Sequence, residues 1–518
     1  MKHMDGDNFT GSEALSGRGR QAIVIGSGFG GIASALRLRA MGCEVTLLER
    51  LDCLGGRAQV FERDGFRHDA GPTVITAPFL FEELFALFGE KLEDHAEFVS
   101  VDPWYRFYFP DGREFDYGED MAAFKRAMAE FNPGDAERYD DLLADSKAIF
   151  DIGFEELADE PFQSFSSMMK QAPALLRLRS DRSVAQFVGR HIKDEMLHRA
   201  LTIQPLLVGG NPYDTTSIYA LIHYLERKWG VFFCMGGTGA LVTALEELMV
   251  RQGISVEKGA DVEEIHVTGR RTHGVRLTDG REFAADMVVC NADPPTVYEE
   301  MLPGRSRLAM PGRPMPDSLT QYSMGLYVLY FGTKRQYPDV AHHTIWLGER
   351  YQEHLQDIFD RKILTEDFSL YLHRPTATDP SFAPEGCDSF YVLCPVPNLQ
   401  GKIDWETEGE NLRDRIVAAL SKTILPDLES TICSDFWMDP TDFRNQYRSK
   451  HGAGFSISPL FRQSAWFRYK NRDPHVTNLF FVGAGTHPGA GMPGVLTSAK
   501  VLENLLKREG FPALQVQG

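Results

Sequence analysis

The 518-residue chain has no apolar run long enough to span a bilayer, so a transmembrane helix is not expected. It lacks a basic excess: Lys and Arg number 54 against 73 Asp and Glu, a net charge of -19. Such a surface repels phosphates, which excludes nucleic acid as a partner. Cysteine is sparse and odd in number, with Cys43, Cys53, Cys234, Cys290, Cys387, Cys394 and Cys433 scattered along the chain. No spacing among them resembles a zinc site or a disulfide framework, and the expectation is reduced thiols in a cytoplasmic protein with no metal. Met1 to Arg20 is polar and has no apolar core of a signal peptide. Residues 1–20 and 509–518 therefore read as tails, the first of them disordered. What remains is ordinary globular material, 43% hydrophobic and 25% charged, long enough for two closely joined domains.

Glycine is abundant, and its placement is informative. Ala22-Ile23-Val24-Ile25 reads as a buried strand that runs into Gly26-Ser27-Gly28-Phe29-Gly30-Gly31. A helix is expected from Ile32 to Met41, and Glu44 to Glu49 reads as a second strand. This is the physics of a dinucleotide site. Gly26 permits the tight turn, Gly28 lets backbone approach a pyrophosphate, and Gly31 allows close helix–strand packing. The helix N-terminus offers unpaired N–H groups to the phosphates, and Glu49 is placed to accept from ribose hydroxyls.

Two further elements follow. In Leu54-Gly55-Gly56-Arg57, the glycines again allow close backbone approach, and Arg57 can pair with phosphate oxygens in a bidentate way. Asp69-Ala70-Gly71-Pro72-Thr73 is a turn able to bring backbone against a flat ring. Near the other end of the chain, Asn478 to Val482 is a strand entering a glycine-lined turn that contains Gly483, Gly485, His487, Gly489 and Gly491. Pro493-Gly494-Val495 then opens a helix. Two such turns near opposite ends suggest one large cofactor, a flavin, gripped from both.

With these pieces in place the chain resembles the bacterial-type phytoene desaturases, carotenoid-forming members of the flavin amine-oxidase superfamily. The resemblance runs from Ala22 to about Leu506. It includes Leu207-Val208-Gly209-Gly210-Asn211-Pro212, Gly236-Gly237-Thr238-Gly239-Ala240-Leu241, Asp367 to His373, and Gln463-Ser464-Ala465-Trp466-Phe467, with Asn478 to Ser498 the most specific segment. It implies non-covalent FAD and desaturation of an acyclic forty-carbon polyene such as phytoene, to neurosporene or lycopene. Hydride would pass to the flavin, with oxygen or a quinone as final electron acceptor. It also implies a backbone contact from Val262 to the adenine. Gly494 and Val495 would present N–H groups to the flavin's N1/O2 edge. Thirty-carbon or hydroxylated carotenoid substrates stay open. So do an amine oxidase, a carotenoid isomerase, and a non-enzymatic lipid carrier on the same scaffold, although such carriers lose the phosphate-binding glycines that are intact here.

The expected fold is α/β. A Rossmann-like FAD-binding domain (21–77, 236–294 and 475–508) interleaves with an α+β substrate domain (78–235 and 295–474) that contains a membrane-facing helical region. Gln321 to Phe331 alternates aromatic and aliphatic residues, which suits either a wall of an apolar channel or an ordinary buried sheet. Residues 161–193 carry Lys170, Arg177, Arg179, Arg182, Arg190 and Lys193 against the single acid Asp181, with Phe162, Phe165, Met168, Met169 and Ala172 at helical spacing. Such a segment can rest in a lipid headgroup region or pack in water on the core; an almost insoluble substrate favours peripheral membrane docking of a cytoplasmic protein. For the proton that desaturation releases, His487 and Asp69 are candidates, although holding their turns is the simpler role for each.

Overall fold

The computed structural model describes residues 19–161, 180–302 and 317–511. The expected N-terminal tail and the Phe162–Arg179 part of the basic segment lie almost wholly outside these residues, as do 512–518.

A five-stranded parallel sheet forms the half that carries the expected nucleotide site. Its order is Leu479–Phe481, Met287–Cys290, Gln21–Ile25, Glu44–Leu48, Ser255–Glu257. Strands from the beginning, middle and end of the chain are thus hydrogen-bonded neighbours. Met287 to Cys290 and Leu479 to Phe481 are wholly buried, as befits parallel strands covered on both faces. The first helix, Phe29–Ala40, begins three residues earlier than the glycine pattern suggested. Gly28 is its N-cap, and the Gly28 carbonyl accepts from the amides of Gly31 and Ile32, so the last two glycines belong to the helix rather than the turn. A Cβ on Gly31 would sit 2.0 Å from the Gly26 carbonyl oxygen, which makes glycine obligatory where helix meets strand.

This helix packs on the final helix, Met492–Arg508. Arg37, buried between them, pairs with Glu503 of the last helix at 2.6 Å and with Glu83 at 2.9 Å. A three-stranded antiparallel sheet, Val262–Thr268, Arg271–Leu277 and Glu282–Ala284, flanks the nucleotide half.

The other half is built on a seven-stranded sheet in the order Ile432–Met438, Gly325–Thr333, Asp388–Val396, Leu370–His373, His343–Trp346, Tyr105–Tyr108, Glu114–Tyr117. Every residue of Gly325–Thr333 is buried, because the sheet separates two cores. Leu326, Val328 and Tyr330 face helices that include Pro133–Phe150 and Leu221–Trp229, whereas Tyr327, Leu329 and Phe331 pack toward Trp405–Ser421. The period of two therefore serves both expected roles, one per face.

Among the described residues no helix is long and apolar enough to cross a membrane. The described remainder of the basic segment packs on the protein: Ser183 caps Val184–His191, whose Val184, Phe187 and Val188 are buried in the core. That part of the expected membrane-facing region is thus an inward-facing helix, for its apolar stripe is already covered.

Candidate active site

One continuous cavity of about 540 Å³ runs from the nucleotide sheet to the seven-stranded sheet. Its polar end is made by Gly26 to Gly30, Glu49, Gly55 to Ala58, Val262, Asn291 and Asp293. Its other arm is apolar, with Ile149, Leu206, Ile218, Met324, Leu326 and Val328 on the walls.

At the polar end the structure brings the sequence elements together. The Gly55 amide donates to the Ser27 carbonyl at 3.1 Å, so the second glycine element rests on the first. Glu49 is buried, accepting from the Ser27 amide (2.8 Å) and hydroxyl (2.6 Å) through Oε2 and from the Leu51 amide (2.8 Å) through Oε1. A carboxylate has about four acceptor positions, which leaves room for a ligand hydroxyl. Asn291, at the end of a central strand, meets all three chain segments. A Cβ on Gly28, Gly30 or Gly483 would fall within 2.8 Å of its carboxamide.

Arg57 lies beside Asp293. Its Nη2 donates to Ser449 Oγ at 2.7 Å, while its Nε is buried without a hydrogen-bond partner. Burial pushes the guanidinium's pKa down, against the attraction of Asp293 and Tyr447. A buried cation with an unsatisfied N–H at the mouth of a glycine cradle fits an anionic ligand such as a pyrophosphate. The Val262 carbonyl accepts from Arg448 at 3.2 Å, so that oxygen is partly engaged within the protein.

The turn between Gly483 and Gly491 is held from behind by Arg468, which is buried and donates to the carbonyls of Ala484 (2.6 Å) and Thr486 (3.0 Å). The final helix starts at Met492 with Pro493 in its first turn and Gly491 as cap. The Val495 amide donates to the Gly491 carbonyl at 3.0 Å. Val495 therefore does not offer its N–H to a ligand. The amides of the first turn that have no intrahelical acceptor are those of Met492 and Gly494. A Cβ on Gly494 would fall 2.5 Å from the Gly489 carbonyl oxygen, and one on Gly485 would fall 2.4 Å from the Pro294 ring.

Residues 29–501 match the family model of the flavin-containing amine oxidoreductases. A lycopene-forming phytoene desaturase of Pseudescherichia vulneris is 47% identical over 94% of this chain and 99% of its own length. A neurosporene-forming phytoene desaturase of Rhodobacter capsulatus is 41% identical over 96% of this chain and 95% of its own. The chain belongs to the phytoene desaturases of the flavin amine oxidoreductase family. Among solved structures, a putrescine oxidase with putrescine bound superposes with a TM-score of 0.62 over 94% of this chain and 99% of its own, at 15% identity, a likeness of fold alone.

In this desaturase the two expected proton acceptors are placed differently. Asp69 is fully buried and does not line the cavity. Its Oδ1 accepts from the Thr238 amide (2.9 Å) and hydroxyl (3.0 Å), which ties the Asp69–Thr73 turn to the start of the helix Gly237–Arg251. That geometry makes it a structural anchor. His487 does line the cavity, with Nε2 3.2 Å from the Leu157 carbonyl, and burial drives its imidazole pKa down to about 4. It is a neutral, weakly basic group near pH 7. The Asp69–Thr73 turn itself is firmly held: Tyr330 donates to the Ala70 carbonyl (3.0 Å), Tyr391 to that of Gly71 (3.3 Å), and Thr73 shares a hydrogen bond with Tyr371 (2.7 Å).

The acid that the sequence reading passed over is Glu226. It is fully buried on the cavity wall and accepts from Tyr105 Oη at 2.9 Å through Oε1, while Oε2 has no hydrogen-bond partner. Burial raises its pKa to about 7, opposed by Tyr105, Arg227, Gln204 and Tyr117. Tyr105 packs beside His343, which bonds Tyr371, which bonds Thr73. Glu226 thus shares a wall with the Gly71-Pro72-Thr73 turn. The signal was present in the sequence, since Ile222, Leu225, Glu226 and Trp229 recur at helical spacing and put one carboxylate on an apolar stripe.

Proposed function

We propose that this enzyme is an FAD-dependent desaturase of phytoene, forming neurosporene or lycopene. The observation that carries this reading is a single cavity joining a dinucleotide cradle to a long apolar arm with one buried carboxylate. FAD, when bound, supplies the two-electron acceptor for the C–H bond that is broken.

The chain's own residues divide the remaining work. Gly26, Gly28 and Gly31 with Gly55, Gly56 and Arg57 hold the pyrophosphate, Glu49 the adenosine ribose, and the Val262 backbone the adenine. Gly71, Pro72 and Thr73, together with Gly485 and Gly494, would hold the flavin ring, and the positive end of the final helix would favour its anionic reduced form. Met324, Leu326 and Val328 align the polyene and exclude water, so the reacting carbons meet no competing nucleophile. Glu226 Oε2 accepts the second hydrogen as a proton. A carboxylate whose pKa lies near neutrality is suited to this, being ionised in half or more of the molecules at pH 7 and above. The substrate's own conjugation spreads the charge that develops, so no oxyanion-type cradle is needed.

Peripheral membrane association through the part of 161–193 that precedes Ser183 delivers the substrate, and oxygen or a quinone takes the electrons onward. Flotation with anionic liposomes tests the first point: binding unchanged by Arg177→Glu, Arg179→Glu and Arg182→Glu together refutes it. For the activity, the FAD-loaded protein is incubated with phytoene in liposomes and the pigments are separated by chromatography. Coloured polyenes are expected. A protein that retains no flavin absorbance at about 450 nm and leaves phytoene intact overturns the proposal.

A further inference from the structure

Behind the Thr73–Tyr371 wall, three histidines meet that the cavity chemistry does not use. His342, His343 and His373 are all buried, and one ligand-capable nitrogen from each lies within 4.8 Å of the others. His343 and His373 are directly opposed on neighbouring antiparallel strands, and His342 precedes the first of these strands. No sequence motif announces them, because the pair is joined by strand register and not by spacing along the chain.

Two of the rings have one side hydrogen-bonded, and the third faces a carboxylate at ion-pair distance. His342 Nδ1 is 2.6 Å from Thr378 Oγ1, His343 Nδ1 is 2.8 Å from Tyr371 Oη, and His373 Nε2 lies 3.5 Å from Asp69 Oδ2. The opposite nitrogens, His342 Nε2, His343 Nε2 and His373 Nδ1, are buried without hydrogen-bond partners, and His373 Nε2, beside Asp69, makes no hydrogen bond either. Buried polar atoms are almost always satisfied, so three orphans in one cluster call for a common partner. A proton shared between rings serves at most two of them, whereas a bridging water or a coordinated cation serves all three, and only the cation registers in elemental analysis.

We infer that His342, His343 and His373 form a three-imidazole site for a divalent transition metal of the zinc class. The arrangement is that of ligating histidines elsewhere, where one nitrogen meets the metal and the other is held by a hydroxyl or carboxylate. Zinc–nitrogen bonds of roughly 2.0–2.1 Å set tetrahedral donors about 3.3 Å apart, so the rings draw inward on binding. The metal is structural. It clamps Leu370–His373 to His343–Trp346, and it fixes His343 Nδ1 as a donor to Tyr371, which orients the Tyr371–Thr73 pair at the cavity wall.

The test uses the full-length flavoprotein, expressed without a polyhistidine tag in zinc-supplemented medium and gel-filtered in EDTA. Elemental analysis is expected to find about one zinc per chain, with half an equivalent as the dividing line. His342→Gln and His373→Gln should each bring zinc below about a tenth of an equivalent while the flavin spectrum and a cooperative melt persist. A measurement on the wild type keeps the test decisive if the variants misfold: protein from cobalt-supplemented medium should show the visible bands of tetrahedral, nitrogen-ligated Co²⁺. Less than half an equivalent in the wild type overturns the inference, as does metal retained by folded variants or cobalt with an octahedral spectrum. A metal-free enzyme whose pH–rate profile shifts in His343→Gln would assign the cluster to proton relay instead, and would also overturn it.

Discussion

Replacing Glu226 by Gln separates its chemistry from its packing. The amide keeps the shape and, through its carbonyl, still accepts from Tyr105, but it cannot take up a proton. Loss of a positioned general base typically costs 10²–10⁴-fold, so a fall of about 10³ in the rate of the first desaturation is expected. Stability should move the other way. Burial raises the folded-state pKa to about 7, from an ordinary value of 4.5. A carboxyl raised on folding favours the protonated fold, so the wild type loses stability as pH rises from about 4.5 to 7 and stays lower above that. That rise corresponds to roughly 3 kcal/mol, which Glu226→Gln should recover at pH 8 and not at pH 4. Single-turnover flavin bleaching with phytoene in liposomes reads the first effect across pH. The wild-type rate should climb through about pH 7, and the variant's residual rate should be flat. Denaturant titrations at pH 5 and pH 8 read the second. A variant within threefold of wild-type rate, or one that keeps the wild-type pH profile, refutes Glu226 as proton acceptor. Unaltered stability at pH 8 refutes the buried, charge-averse environment on which the assignment rests.

Gly31→Ala should cost at least about 1–3 kcal/mol and lower flavin content, because the new methyl would sit 2.0 Å from the Gly26 carbonyl oxygen; thermal melts and the flavin-to-protein absorbance ratio check this. Arg57→Met removes a buried, charge-assisted donor, and FAD affinity should weaken by roughly 10–100-fold in fluorescence titration. An unchanged Kd would place the pyrophosphate elsewhere. Val328→Phe narrows the apolar arm, so products with fewer double bonds should accumulate in chromatograms while flavin content stays at wild-type level. An unaltered product distribution would take Val328 off the substrate path.

What the sequence discloses and what it hides divide along a physical line. The nucleotide end is legible because its constraints are local: a turn, a helix start and a strand lie within one short segment, and glycine is required by contacts among near neighbours. Even there, the boundary at Phe29 and the spent amide of Val495 escape notice, since the choice of cap residue depends on backbone angles that residue types only loosely determine. Glu226 could be found by asking which acid falls on an apolar stripe. Asp69 could not be assigned, because its partner Thr238 is remote in sequence and only the fold turns a ring-side candidate into an anchor for another helix. His342, His343 and His373 are more hidden still, joined by a strand register that no pattern in either segment encodes.

The same distinction explains why the two termini meet. Gly483 and Gly28 make room for a single side chain, Asn291, that belongs to neither end. Arg37 adds the complementary constraint, since its guanidinium is buried between Glu503 and Glu83. A buried ion pair of this kind adds little net stability, because desolvation offsets most of its attraction. Its effect lies in exclusion. If the last helix docked with its register shifted, Arg37 would keep Glu83 but lose Glu503, its closer partner, at a cost of up to about 3 kcal/mol. That penalty sets which turn of the final helix faces the first. With the helix in register, the unpaired amides of Met492 and Gly494 stand at the cavity that the Gly26 turn opens onto. The meeting of the chain's two ends at this cavity therefore rests in part on the Arg37–Glu503 pair.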